Sequence, residues 1–164
     1  RSSQSGIISQ IVTEMNRHLA RDVLEMGRFM TLFYMVIDPR AHNLEWVRAG
    51  HDPAIIYDPT EDRFEELIGD GLALGIDESF EYAENHKSGI VNGKIIAVGT
   101  DGIWEMHNES GEIFGKDRLK EIIQENASST AKEIIAAIYD ALDRYRGTKQ
   151  LEDDITMVVI KVQR

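Results

Sequence analysis

The chain has 164 residues, 42% of them hydrophobic and 29% charged, a composition that suits one soluble globular domain and is too apolar for a disordered tail. Its 18 Lys and Arg against 29 Asp and Glu leave a formal charge of −11, which argues against nucleic-acid backbones and anionic membrane surfaces as partners. With no cysteine, disulfides, thiolate metal sites and cysteine nucleophiles are excluded, so any chemistry must come from oxygen, imidazole or amine groups.

No apolar run approaches the ~20 residues of a membrane span, and Arg1-Ser2-Ser3-Gln4-Ser5-Gly6 is not a signal peptide. A cytoplasmic location is expected. A chain that opens on arginine instead of methionine reads as a domain excised from a longer protein. Between Ile7 and Met26, apolar residues recur at steps of three and four (Ile7, Ile8, Ile11, Val12, Met15, Leu19, Val23, Met26), which predicts an amphipathic helix. Gly27 stops it. Phe29 to Ile37 is almost continuously apolar and predicts a strand covered on both faces, ended by the turn Asp38-Pro39-Arg40.

Short antiparallel strands are expected over Leu44–Ala49, Ala54–Tyr57 and Arg63–Leu67, each bounded by Gly, Pro, Asp or Asn. The glycine-rich loop Gly69 to Gly75 precedes a strand expected around Phe80 to His86. Asn92-Gly93 predicts a hairpin before Lys94–Val98. Helices follow over Lys116–Glu125 and Ala131–Arg146, the second opened by a capping box of Thr130 and Glu133 and carrying an apolar face of Ile134, Ile135, Ile138, Tyr139, Leu142 and Tyr145. Ile155 to Val162 is apolar on both alternating faces and predicts a central strand. The fold class is therefore α+β, with helices covering a mainly antiparallel pair of sheets in one domain spanning residues 1–164.

Two acidic segments are the most pointed chemical feature. Asp101 in Thr100-Asp101-Gly102 ends one strand, and Asp153 in Asp153-Asp154-Ile155-Thr156 stands just before another, 52 positions on. Antiparallel pairing of those strands would bring the carboxylates to one sheet rim. Such acids repel unless a cation neutralises them, and an all-oxygen set suits Mg²⁺ or Mn²⁺ over zinc. The competing reading is that Asp-Gly is a common turn and that an aspartate before a strand merely ends a loop.

Thr100-Asp101-Gly102-Ile103-Trp104-Glu105 with Asn108 and Gly111-Glu112-Ile113-Phe114-Gly115, together with Asp153-Asp154-Ile155-Thr156, closely resemble motifs of the bacterial metal-dependent (PPM) protein phosphatases, in the SpoIIE and RsbU branch. The resemblance extends to Phe29–Tyr34, Ala49-Gly50-His51-Asp52-Pro53 and Leu72-Ala73-Leu74-Gly75-Ile76, so it covers nearly the whole chain in the family's order. It implies an α-β-β-α sandwich and a hydrolase that removes phosphate from phosphoserine or phosphothreonine on a regulatory protein, typically of the anti-anti-sigma type. Two divalent metals, Mn²⁺ or Mg²⁺, would activate a bridging water for in-line attack. Residue by residue, Asp101 and Asp153 match metal ligands, Gly102 permits the tight turn beside them, and Asp154 is a second-rank candidate as an outer ligand or a strand-initiating residue. Fusion to an upstream sensory or receiver domain is also implied.

The chain departs from the pattern at its start. Family members carry an early Gly-Asp segment whose aspartate bridges the metals, whereas Glu14, Asp22 and Glu25 lie on the predicted helix. The expectation is a domain lacking its N-terminal strands, with at most part of the metal cluster, weak as a catalyst when taken alone. A non-catalytic module that keeps the fold and grips a regulatory partner is the alternative. An unpaired sheet edge would invite a second copy, so a homodimer is among the expectations.

Asp52 stands where the family commonly has asparagine, in a turn that reads as structural. His51 reads as a ring bonded to that turn's backbone, with proton donation to a leaving group as the less favoured role. His18, His42, His86 and His107 show no pair at the helical spacing of a zinc site and read as surface residues. Trp46 and Trp104 read as interior residues. No serine-hydrolase elbow, nucleotide phosphate loop or dinucleotide fingerprint is present. The Gly69–Gly75 loop reads as a turn between sheets, since it does not join a strand to a helix.

Overall fold

The computed structural model describes residues 7–23 and 27–163. The end of the expected first helix, residues 24–26, lies outside them. The chain divides into two compact units, one of residues 1–53 and 68–90, the other of residues 54–67 and 91–164. Each is a sheet with its own helical layer, and every ladder between strands is antiparallel.

The first unit holds α1 (Ile7–Val23), β1 (Leu32–Asp38), β2 (Asn43–Ala49) and β5 (Asn85–Ser88), the strands ordered β1-β2-β5. The β1–β2 register runs from Leu32↔Ala49 to Asp38↔Asn43. Asp38 closes the hairpin because its Oδ1 accepts the N–H groups of Arg40 and Ala41, the turn chemistry expected of Asp-Pro-Arg. Helix α1 lays Ile8 and Val12 against Val47, Ala49, Leu74 and Tyr82. Polar groups pin it as well. Asn16 is fully buried, its Oδ1 accepting the Gly75 N–H at 2.9 Å and its Nδ2 donating to the Asp77 carbonyl at 2.7 Å.

The second unit holds β3 (Ala54–Asp58), β4 (Arg63–Leu67), β6 (Ile95–Gly99), α2 (Gly115–Glu125), α3 (Ala131–Arg146) and β7 (Met157–Lys161), with strand order β4-β3-β6-β7. Its core joins Ile55, Tyr57, Ile95, Ala97 and Val159 of the sheet to Leu119 and Ile123 of α2 and to Ile134, Ile138 and Leu142 of α3. The capping box forms as expected: the Thr130 side chain accepts the Glu133 N–H, and the Glu133 carboxylate accepts the Thr130 N–H. Lys161 Nζ donates to the carbonyls of Ala127 and Ser129, each at 2.7 Å, just beyond the C-terminus of α2.

Four expectations are corrected. Strand β7 is not central: among the described residues its ladder partner is β6, and Val158 is exposed. Strand β1 starts at Leu32, and Phe29, Met30 and Val36 are exposed. Apolar periodicity reports which side chains tolerate burial, not how many neighbours this chain supplies to cover them. The strand expected over Phe80–His86 is displaced to Asn85–Ser88, because Phe80 and Tyr82 pack under α1 as loop residues, the Tyr82 N–H donating to Thr13 Oγ1. Asn92-Gly93 makes a turn but not a hairpin, since β5 pairs with β2 and β6 pairs with β3 and β7. Among the described residues no helix is long and apolar enough to cross a membrane.

Candidate active site

The site is built where β6 ends and β7 begins. The ladder carries Gly99 opposite Met157, and one residue further the two chains are stitched by a side chain. The Thr100 N–H donates to the Thr156 carbonyl at 3.0 Å. The Thr100 hydroxyl accepts the Thr156 N–H at 3.1 Å and donates to the Asp154 carbonyl at 3.1 Å. One hydroxyl thus fixes both strand ends, with Asp101 leaving one and Asp153-Asp154 entering the other.

Gly102 completes this approach. A Cβ there would lie 2.6 Å from the Asp154 carbonyl oxygen and 3.5 Å from Asp153 Cβ, so the need is for room against a backbone, not for an unusual φ. The Gly102 N–H donates to Asp101 Oδ1 at 3.0 Å, and the Asp154 N–H donates to Asp153 Oδ1 at 2.7 Å. Each aspartate is oriented by its following amide and keeps a second oxygen to offer. Asp101, Asp153 and Asp154 are exposed on the rim. Ile103, Trp104 and Met106, buried in the core of this unit, anchor the turn behind them. Sequence reading placed Thr100 in the motif without giving it a role; a threonine beside the acidic turn, facing Thr156 two residues past the second acidic pair, was the available signal.

The remaining motif residues are braces. Asn108 Oδ1 accepts the N–H groups of Ser110 and Glu112. The Tyr145 hydroxyl donates to the Ile113 carbonyl at 2.9 Å. Glu109 Oε1 accepts both the N–H and the hydroxyl of Thr148, and these bonds hold its carboxyl below the ordinary range.

The family described as Stage II sporulation protein E (SpoIIE) matches residues 2–163. The chain belongs to the SpoIIE family. Phosphoserine phosphatase RsbU of Bacillus subtilis (strain 168) is 31% identical over 153 residues, which are 93% of this chain and 44% of RsbU. The SiaA-PP2C domain of Pseudomonas aeruginosa superposes with a TM-score of 0.81 at 21% identity, covering 93% of this chain and 60% of that one. The phosphatase domain of the cell fate determinant SpoIIE from Bacillus subtilis gives a TM-score of 0.64 at 18% identity, over 100% of this chain and 76% of that one. These likenesses bear out the α+β fold of PPM type. The chain spans less than half the length of RsbU.

Beside the acidic rim of this SpoIIE-family chain lie two cavities of about 200 and 580 Å³ that share Met106, Arg146, Leu151, Glu152 and Asp153. Arg146 pairs with Asp143. Glu152 faces Lys149 at 2.7 Å and His107 Nδ1 at 3.1 Å, and the hydrogen bond from Lys149 is the main cause that holds its carboxyl below the ordinary range.

Elsewhere the sequence-level readings meet their structural partners. His51 Nδ1 lies 2.8 Å from the Asp52 carbonyl, and Arg48 Nη1 donates to the His51 carbonyl at 3.0 Å, so that turn is backbone-bonded. The Gly69–Gly75 loop lies against β2: a Cβ on Gly71 would fall 1.6 Å from the Arg48 carbonyl oxygen. Trp46 and Trp104 are buried. Among the described residues, one group of three metal-ligating side chains has converging ligand atoms, and it is Glu45, Glu84 and His86 instead of the acidic rim.

Proposed function

We propose that this chain is the phosphatase domain of a longer signalling protein, a metal-dependent hydrolase of phosphoserine or phosphothreonine on a regulatory partner of the anti-anti-sigma type. The observation that carries the reading is the juncture of Thr100, Gly102 and Asp154, which brings the Asp101 and Asp153 segments to one rim. RsbU, which shares 31% identity, is a phosphoserine phosphatase, and that supports the substrate class.

The donors fit a hard divalent cation, because exposed carboxylate oxygens and neighbouring carbonyls make an all-oxygen set. Asp101 and Asp153 would hold Mn²⁺ or Mg²⁺, with Asp154 in reserve. When bound, such ions polarise phosphoryl oxygens and lower the pKa of water. The chain's own contribution is orientation: the Gly102 and Asp154 amides each fix one oxygen of the aspartate before them. The adjoining cavities carry Arg146 and His107, each paired with an acid that an anionic substrate would have to displace, and Met106, Leu142 and Leu151 for apolar residues around it.

The test is phosphate release from a phosphoserine peptide by this chain, with and without Mn²⁺, beside the Asp101→Asn, Asp153→Asn variant. Metal-dependent turnover lost in the variant supports the reading. Metal-independent release, or release unchanged in the variant, sinks it. Peptide binding without release would favour a module that grips its partner without turning it over.

A further inference from the structure

We infer that Glu45, Glu84 and His86 form a second divalent-cation site, on the β2–β5 face of the first unit, that takes a transition metal of the zinc class. Glu45 and His86 are ladder partners. Glu84 stands immediately before β5, two residues ahead of His86. One ligand atom from each lies within 4.8 Å of the others. The group shares no residue with the Asp101 and Asp153 rim.

Each imidazole nitrogen has one carboxylate near it. Its Nε2 lies 3.2 Å from Glu84 Oε1 and its Nδ1 lies 3.7 Å from Glu45 Oε1. A tetrahedral ion with bonds of roughly 2.0–2.2 Å to nitrogen and oxygen separates two ligands by roughly 3.3 Å. The His86–Glu84 spacing matches this; an ion takes one ring nitrogen, and Glu45, with a ligand atom within 4.8 Å of the other two, would turn toward it to complete the set.

A second observation, burial, is independent of the spacing. The Glu84 side chain is 94% buried, with 6% of its surface exposed, and the Glu45 side chain is 21% exposed. Placing two carboxylates together away from water raises the cost of their charge. The His86 side chain is 49% exposed and leaves a path for the ion and for a water ligand. A mixed nitrogen and oxygen set also differs from the oxygen set at the rim, so the two places favour different metals.

His86 is exposed, as a surface reading expects, and the proposal adds a ligand role to it. A histidine pair at helical spacing is not the pattern here: His86 opens the set from β5, Glu84 comes from the residues just before that strand, and Glu45 comes from across the ladder. The test is zinc alone added to the full chain carrying Asp101→Asn and Asp153→Asn, which removes the rim carboxylates from the count. One zinc per chain should survive desalting and raise the Tm, since an ion bound only to the folded state stabilises it. Adding Glu84→Gln or, separately, His86→Gln should weaken zinc binding at least about tenfold. His86 is half exposed, so its variant keeps the test available if Glu84→Gln fails to fold. No retained zinc, or equal retention with Glu84→Gln and His86→Gln, overturns the site.

Discussion

Asn16 and Gly102 show how single residues hold this chain together. Asn16 meets a donor and an acceptor inside the first unit, the Gly75 N–H and the Asp77 carbonyl. Replacing it with alanine leaves the buried Gly75 N–H without that partner and removes a donor from the partly buried Asp77 carbonyl, and should cost about 1–3 kcal/mol, one penalty for an unsatisfied group; denaturant unfolding of Asn16→Ala measures it. Gly102→Ala places a methyl group against the Asp154 carbonyl, 2.6 Å away before any relaxation. The expected result is a loss of about 1–3 kcal/mol together with displacement of Asp153, read as a lower Tm and a weakened response to Mn²⁺. A Gly102→Ala chain with unchanged stability and an unchanged metal response would contradict the packing argument. Of the two residues, Gly102 was legible as a turn beside acids. Asn16 was not, because an asparagine on an amphipathic helix shows its buried role only when the partner loop is in place.

At the level of elements, local chemistry was the most readable part of the sequence. The bounds of α3 agree with the reading from Thr130, Glu133 and the apolar spacing, because a capping box and a 3.6-residue period are both short-range signals. Thr130→Ala should destabilise the chain by about 1 kcal/mol, seen as a lower urea midpoint with an unchanged slope. Strands were less legible. The β5 ladder depends on Glu45 finding His86 across 41 positions, and nothing in Phe80–Tyr82 announces that those aromatic residues serve a helix instead of a ladder. The apolar run of β7 likewise says nothing of its place at the end of the order β4-β3-β6-β7 among the described residues.

For the whole molecule, acidity sets the expected response to pH. Hydrogen bonds hold the carboxyls of Asp38, Asp58, Asp77, Glu109, Glu133 and Glu152 below their ordinary values. A carboxyl whose pKa is lower folded than unfolded adds stability above its unfolded value and loses it as pH falls through the folded one. Stability should therefore be level near neutrality and decline below about pH 4.5, the upper end of the ordinary carboxyl range. Tm measured from pH 7 to pH 3 checks this, and Glu133→Gln, which keeps a cap acceptor, should make the decline shallower. A Tm that rises on acidification would mean that relief of repulsion among 29 acidic residues outweighs these bonds.

The sequence by itself determined the α+β class, the helices, the Asp38 turn and the segments that carry Asp101 and Asp153, because propensity, capping and turn formation act over a few residues. The family resemblance was carried by the same short segments. Only the tertiary structure decided which strands share a sheet, how Thr100 ties one acidic segment to the other, and that Glu45 meets Glu84 and His86. Those outcomes depend on pairing across tens of residues, where register and packing select among partners that short-range signals leave equivalent.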